Sequence, residues 1–155
     1  MDMTVRTKEE VALGRLEDAP GFLLRMAQLK VYEQFFDQVG DHRIKPGEFS
    51  VLWVISCNPG IRQSLLGQRL MIKRAHMTKL IRALEEQELV SRRIPDADRR
   101  AVELSLTTKG RAAVEAASQW FFAYEQSLGA NLSASERERL IGLLKKFIGI
   151  KATGL

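Results

Sequence analysis

Residues 91 to 110 of the chain, SRRIPDADRRAVELSLTTKG, combine short alternating apolar stretches with an unusually charged turn. The alternation lies in residues 89 to 94 and again in residues 101 to 106, and the residues between them include a proline and two aspartates. Alternation with period two favours strands, and proline and aspartate favour turns, so the segment predicts a β-hairpin. A turn by itself requires no charge, yet arginines lie on both sides of this one.

The residues before the hairpin predict two helices joined by a tight turn. They are 62 to 70, RQSLLGQRL, and 73 to 89, KRAHMTKLIRALEEQEL. One face of the second helix carries Met77, Leu80, Ile81, Leu84 and Leu89. A short helix, a tight turn and a longer helix that begins with small and basic residues form the helix-turn-helix pattern. A plain helical hairpin is the alternative, but a β-hairpin directly after the two helices indicates a wing.

The positive charge of the chain is concentrated in the same region. The chain carries 24 lysines and arginines against 19 acidic residues, a net charge of +5. Residues 62 to 111 alone carry twelve basic and six acidic residues, so the remainder of the chain has a net charge of −1. Such a concentration is expected of a surface that neutralises phosphates, although a solvated basic face is also compatible with it.

Length and composition exclude several other classes of protein. A chain of 155 residues, 45% hydrophobic and 28% charged, fits one ordinary globular domain. Its single cysteine excludes an internal disulfide, and no apolar run approaches the roughly 18 residues of a membrane span. The first residues lack the apolar core of a secretory signal, so the sequence predicts a cytoplasmic protein.

At this point the sequence resembles the MarR family of bacterial winged-helix transcription regulators. Residues 77 to 110 look like that family's recognition helix, wing and following helix start, and the acidic turn, Asp-Arg-Arg and SLTxKG carry the resemblance. It is strong over about 46 to 110 and rests on layout alone in the flanking helices. It implies a single mostly α domain over 1–155 with a small β-hairpin wing, in which a winged helix-turn-helix core at about 46–106 is flanked by N- and C-terminal dimerisation helices at about 20–40 and 107–150.

The resemblance implies that the protein binds double-stranded DNA. It also implies a repressor, because repression is the family's usual role. Base edges are expected to meet residues near the start of the recognition helix: Arg74, Ala75, His76, Thr78 and Lys79. Backbone phosphates are expected to meet a second set: Arg62, Arg69, Lys73, Arg92 and Arg93. Arg99 and Arg100 match the family's minor-groove wing tip, and Asp98 is expected to brace one of them.

The terminal helices predict a homodimer. Apolar residues recur at helical spacing in residues 21 to 39, in a helix capped by Thr107 or Thr108, and in a last helix that opens with a capping box at Ser133 or Ser135. These surfaces have no matching third layer in the chain, so a twofold dimer is expected to cover them. Two recognition helices about 34 Å apart would then contact a pseudo-palindromic operator.

By resemblance, we expect a small effector to release the protein from DNA. The expected effector is an aromatic acid, a phenolic compound or an aromatic acyl-coenzyme A. Arg25 matches a position at which some family members hold a ligand carboxylate, and Arg43 with Lys45 could hold coenzyme A phosphates. The candidate ring contacts are Tyr32, Phe36, His42, Phe49 and Trp53. The alternative is that Arg25 makes an intersubunit or capping contact and that the aromatic residues are core.

Three other functions are less well supported by the sequence. Cys57 could sense oxidation, but it ends an apolar helix, where an inert packed thiol is expected. An enzyme is not expected, since His42 and His76 lack metal-pair spacing and no phosphate loop or nucleophile elbow occurs, so neither a metal nor a cofactor is expected either. A non-specific architectural DNA-binding protein is the stronger rival, because it would also use basic charge and a dimer.

Overall fold

The computed structural model of the chain describes residues 7–39 and 44–151. These residues form six α-helices and three short strands. Contacts divide them into two compact units, one before Ile44 and one from Ile44 onward. The elements are α1 (Pro20–Val39), α2 (Pro46–Cys57), β1 (Ile61–Arg62), α3 (Gln63–Arg69), α4 (Arg74–Glu86), β2 (Val90–Arg93), β3 (Glu103–Leu106), α5 (Thr108–Ser127) and α6 (Ala134–Ile148).

The first unit consists of α1 and two 3₁₀ turns before it, Lys8–Glu10 and Gly14–Asp18. Phe35 is the buried residue of α1, and its ring meets Phe36 edge to face, with the centroids 5.6 Å apart. The single apolar stripe expected from the sequence is largely exposed in the single chain. Exposed members of that stripe are Met26, Leu29, Tyr32 and Phe36.

The second unit is built around α2, which supplies Phe49, Val51, Leu52 and Ile55 to the interior. Trp53 of the same helix nevertheless remains 36% exposed. The helix is apolar all round, so periodicity could not select which residues face the core.

Helices α3 and α4 form the expected helix-turn-helix. Met77, Ile81 and Leu84 of α4 are each 1% exposed and join Leu66 of α3 in the main core. Gly67 allows the turn to close tightly, since a Cβ atom there would lie 3.2 Å from the carbonyl oxygen of Ile72. The amide of Ile72 donates to the Gly67 carbonyl at 2.9 Å and completes the turn.

The wing is the expected hairpin of β2 and β3, with Val90 opposite Leu106 and Arg93 opposite Glu103. A third strand, β1, pairs antiparallel with β3, so that β3 lies in the centre of the sheet. The sequence did not predict β1, because two residues are too few to show alternation. This extra strand ties the start of α3 to the base of the wing.

The glycine of the SLTxKG motif, Gly110, fills a position that has no room for a side chain. A Cβ atom at Gly110 would overlap the carbonyl oxygen of Leu89. The N-cap residue Thr107 accepts a hydrogen bond from the Gly110 amide and donates its own amide to the same Leu89 carbonyl at 3.1 Å. The motif therefore joins the start of α5 to the end of the recognition helix.

Helix α5 packs on α2, where the ring of Phe121 stacks on Phe49 with centroids 4.1 Å apart. Arg137 of α6 donates to the backbone carbonyl of Glu125 at 2.9 Å. Burial raises the pKa of the Glu125 carboxyl, and the nearby Arg137 guanidinium opposes that rise. These contacts set the position at which α6 leaves α5.

Helix α6 begins with the capping box of Ser133 and Glu136, one of the two predicted. Its apolar residues were expected to be covered by a second chain, and within the single chain all are exposed, from 36% at Leu144 to 68% at Phe147. The described part of the chain contains no layer that covers them. The remaining members of this uncovered stripe, which we call the α6 stripe, are Leu140, Ile141, Leu143 and Ile148.

Candidate nucleic-acid interface

The start of α4 presents an exposed polar and basic surface. All five residues expected to meet base edges are exposed, while Met77 between them is buried. The members of this surface are Arg74, Ala75, His76, Thr78 and Lys79. The structure therefore leaves all five accessible around the first two turns of the recognition helix.

The N-cap residue of α4 is Lys73, which provides no side-chain cap. A helix N-terminus carries free backbone amides and a partial positive charge, and both attract phosphate oxygens. Lys73 and Arg74 add full positive charges at the same end. The start of the helix thus suits a DNA backbone as well as base edges.

Thr78 is held in place by two hydrogen bonds that the sequence did not predict. Its hydroxyl donates to the Arg74 carbonyl at 2.9 Å and accepts from the Gln63 side-chain amide at 3.3 Å. The backbone amide of Gln63 in turn donates to the Val102 carbonyl at 2.8 Å. Gln63 therefore connects the recognition helix to the base of the wing. The only sequence signal for this role is its position at the start of α3.

Asp98 holds the wing turn through two partners. Its Oδ2 lies 3.4 Å from the Arg62 guanidinium, and its Oδ1 accepts from the backbone amide of Arg100 at 3.1 Å. The sequence predicted a brace on Arg99 or Arg100 without specifying the atoms, and it did not predict the bond to Arg62. The side chains of both arginines are exposed at the wing tip.

Three of the five cations expected to contact phosphates are paired with carboxylates on the protein. Arg92 lies 2.6 Å from Glu85 at the end of α4, and Arg93 lies 3.0 Å from Glu103 on the neighbouring strand. Arg62 is paired with Asp98 as described above. These pairs are solvent-exposed, so each contributes little to stability, about 0–1 kcal/mol.

A second set of cations makes no side-chain hydrogen bond or ion pair with any residue that the structure describes. We call these the unpaired cations: Arg69, Lys73, Arg74, Lys79, Arg82, Arg99 and Arg100. They lie at the turn of the helix-turn-helix, along α4 and at the wing tip. Charges without partners are free to meet phosphates or base edges at little cost in lost protein contacts.

The residues expected to hold an effector are divided between the two units. Arg25, Tyr32 and Phe36 lie on α1 and are exposed. Phe49 is 1% exposed and is a core ring, whereas Trp53 is partly exposed and meets the exposed ring of Phe122 edge to face at 5.0 Å. His42 and Arg43 lie outside the described residues.

The free thiol of Cys57 is exposed, which corrects the expectation of a packed cysteine. The Ser56 hydroxyl lies 4.0 Å from its sulfur atom. Within residues 7–39 and 44–151, no cluster of three or more histidine, cysteine or acidic residues could hold a metal ion. No helix in the same ranges has the length and apolar character needed to cross a membrane.

A helix-turn-helix followed by a three-stranded wing and a basic surface defines a winged-helix DNA-binding protein. The model of the MarR family matches residues 44–102. A protein of Thauera aromatica, named as a transcriptional regulatory protein for the hcr operon, is 34% identical over 138 residues, which are 88% of this chain and 83% of that protein.

Solved structures show the same similarity. The transcriptional repressor CouR bound to a 23-mer DNA duplex is 33% identical with a TM-score of 0.81, and the match covers 90% of this chain and 99% of that one. CouR bound to p-coumaroyl-CoA is 31% identical with a TM-score of 0.79, covering 92% and 100%. The chain belongs to the MarR family and is a DNA-binding transcriptional regulator.

Proposed function

We propose that the protein is a homodimeric, sequence-specific repressor that binds a pseudo-palindromic operator and releases it when a small effector binds. The observation that carries the DNA part is the set of unpaired cations around the start of α4 and the wing tip. The wing strand β2 also carries two arginines, Arg92 and Arg93, but these are paired with carboxylates. Unpaired positive charge is thus present at the two places where a winged-helix arrangement meets DNA.

Base contacts are assigned to the exposed residues at the start of α4. Arg74 is the strongest of these candidates, because a guanidinium can donate two hydrogen bonds to O6 and N7 of guanine. His76, Thr78 and Lys79 supply further polar groups, and the methyl of Ala75 could meet a thymine methyl. Arg69 and Lys73 are assigned to phosphates, together with smaller contributions from the paired Arg62, Arg92 and Arg93.

The wing tip is assigned to the adjacent minor groove. Arg99 and Arg100 are exposed there, and a narrow minor groove attracts arginine through its negative potential. Asp98 serves this role indirectly, because its bonds to Arg62 and to the Arg100 amide fix the turn that carries both arginines. A carboxylate used in this way does not face the DNA.

The dimer is assigned to the α6 stripe and to the exposed apolar residues of α1. Leu143 is 55% exposed and Phe147 68% exposed in the single chain. Contiguous apolar surface of this kind usually marks an interface with another protein. A second copy would cover it and place two recognition helices about one DNA turn apart, roughly 34 Å.

The effector is proposed to be an aromatic acid, a phenolic compound or an aromatic acyl-coenzyme A. Support comes from the exposed edge-to-face pair of Trp53 and Phe122 and from the exposed guanidinium of Arg25. The similar protein CouR has been solved with p-coumaroyl-CoA. Such a ligand releases the operator if it binds the DNA-incompatible state of the dimer more tightly.

The test of the DNA proposal is fluorescence anisotropy with a labelled duplex from the region upstream of the protein's own gene. A scrambled duplex of equal length is the control, at about 150 mM salt. The expected result is a preference of at least roughly 10³-fold for the native duplex. Equal affinity for both duplexes, falling together as salt rises, would establish a non-specific architectural protein instead.

The effector is tested in the same assay by adding p-coumaroyl-CoA, free p-coumarate or coenzyme A to the preformed complex. One of the two aromatic compounds is expected to release the duplex, and coenzyme A alone is expected to leave it bound. Arg25→Gln is expected to raise the concentration of aromatic carboxylate needed for release while leaving DNA affinity unchanged. Release by hydrogen peroxide that Cys57→Ser abolishes would favour redox sensing instead.

A further inference from the structure

Met71, in the turn between α3 and α4, is unusual for a methionine in both its backbone conformation and its exposure. Its φ is 55°, in the left-handed region that glycine adopts without strain. It is also 89% exposed, and no other large apolar residue that the structure describes is as exposed. Departures of this kind are expected where a residue serves function rather than stability.

The geometry of the turn explains the left-handed backbone but not the methionine. The amides of Met71 and Ile72 donate to the carbonyls of Gln68 and Gly67 at 3.3 and 2.9 Å, which closes the end of α3. Glycine in place of Met71 would form the same bonds with less strain and without an exposed thioether. The protein fold therefore gives no reason for a long apolar side chain here.

The surroundings of Met71 indicate what the side chain contacts. It borders a cleft of about 670 Å³ that is also lined by Lys73, Arg74 and Arg100. All three belong to the unpaired cations. An exposed apolar group among unpaired positive charges is complementary to a partner that is anionic and also presents apolar groups.

Double-stranded DNA has both properties in the major groove. The C5 methyl of thymine is the apolar group that base edges present there, among phosphates that supply the negative charge. Met71 lies three residues before Arg74, at the end of α4 that is assigned to base edges. Methionine is long, flexible and polarisable, so it adapts to such a contact.

Glu88 provides an internal comparison. It is the second non-glycine residue with left-handed backbone among the described residues, with φ of 60°. Its side chain is polar, lies after the opposite end of α4 and has a carboxylate oxygen 3.7 Å from the Lys109 ammonium. A left-handed residue outside the cationic surface thus carries a charge with a partner, whereas Met71 carries an apolar group without one.

We propose that Met71 is a specificity-determining DNA contact that packs on a thymine methyl group in each half-site of the operator. The inference deepens the proposed function and rests on it. It adds hydrophobic recognition of thymine to the polar contacts assigned to α4.

The test removes the methyl groups one at a time. Thymines in the footprint of the upstream duplex are replaced singly by deoxyuridine, which lacks only the C5 methyl, and affinity is measured by anisotropy. At one position in each half-site the parent is expected to lose about fourfold, the factor for burying one methyl-sized group. Met71→Asn tolerates left-handed backbone and removes the contact in both half-sites, so it is expected to lose the square of that factor, about 15-fold, on the unmodified duplex and nothing further on the modified one.

Three variants complete the design. Met71→Leu keeps an apolar side chain and is expected to keep the dependence on thymine. Met71→Gly is expected to melt at a higher temperature than the parent and still to bind DNA as weakly as Met71→Asn, which separates contact from folding. Glu88→Asn changes the matched left-handed position and is expected to leave DNA affinity unchanged.

The results that overturn the inference are distinct from those that overturn the proposed function. A parent that prefers its upstream duplex but loses no affinity with any deoxyuridine overturns the inference alone. So does Met71→Asn if it binds as tightly as the parent, or if its loss is additive with that of deoxyuridine. A parent that binds native and scrambled duplexes equally overturns the proposed function and this inference with it.

Discussion

Helices α4 and α6 have similar lengths and carry apolar residues at similar spacing, but their apolar faces have different surroundings. In α4, Met77, Ile81 and Leu84 are each 1% exposed. In α6, Leu144 and Phe147 are 36% and 68% exposed. The same sequence pattern therefore forms part of the core in one helix, whereas in the other it leaves an apolar surface exposed in the single chain.

The polar faces of the two helices differ as well. The basic residues of α4 begin at its N-terminal end, where a positive charge opposes the helix dipole, so their placement does not stabilise the helix. Lys145 and Lys146 of α6 lie in its last turn, where positive charge is favourable. The basic residues in the last turn of α6 thus favour the helix itself, whereas those at the start of α4 do not, which agrees with the proposed role in DNA binding.

The largest effect is expected from a charge in the apolar face of α4. Ile81→Glu would bury a carboxylate without a partner and is expected to cost more than about 4 kcal/mol, a large part of a domain's stability. Thermal unfolding followed by circular dichroism measures the loss. A folded variant with an unchanged melting temperature would mean that the α4 face does not form the core.

The equivalent change in α6 is expected to separate folding from assembly. Leu144→Glu is expected to change the stability of the isolated chain by about 0.5 kcal/mol or less, because the site is exposed there. Sedimentation should nevertheless shift from dimer to monomer. A variant that remains dimeric would show that the α6 stripe is not the interface.

A smaller effect is expected from removing a cation of α4. Arg74→Ala is expected to weaken operator binding about 10- to 100-fold and to relax the preference at one base pair. Lys145→Ala on α6 is the matched control, with the same change in charge and no expected change in affinity. Equal losses in the two variants would indicate that net charge, rather than position, governs binding.

The smallest effect is expected from a cation that already has a partner. Arg92→Ala is expected to weaken operator binding about threefold or less, since Glu85 offsets its charge in the free protein. Glu85→Gln removes the partner and is expected to raise affinity slightly at low salt. A loss as large as that of Arg74→Ala would place Arg92 among the principal contacts.

Sequence patterns were sufficient to predict most of the fold. Periodicity and turn residues predicted all six helices and the wing hairpin, and the helix-turn-helix lies where residues 62 to 89 indicated. The two-residue strand β1 was missed because it is too short to have a pattern. The exposure of Trp53 on α2 could not be predicted, because the sequence of a helix that is apolar all round does not show which side faces the core.

The sequence predicted which residues form the candidate site, but it did not predict which ion pairs and hydrogen bonds they make. Counting charges located the basic region, but it could not show that Arg92 and Arg93 have carboxylate partners across the hairpin and on α4. Asp98 was correctly expected to hold the turn, yet its partner Arg62 lies 36 residues away in the sequence and is near only in the fold. The left-handed backbone of Met71 had no sequence signal, since that position carries no glycine or asparagine.

The central claim is that two chains bind one operator together through two recognition helices. Anisotropy with the footprinted duplex, compared with a duplex in which one half-site is scrambled, tests it most directly. If each half-site supplies half of a roughly 10³-fold preference, scrambling one is expected to weaken binding by about 30-fold. Unchanged affinity for the duplex with one half-site would contradict the account.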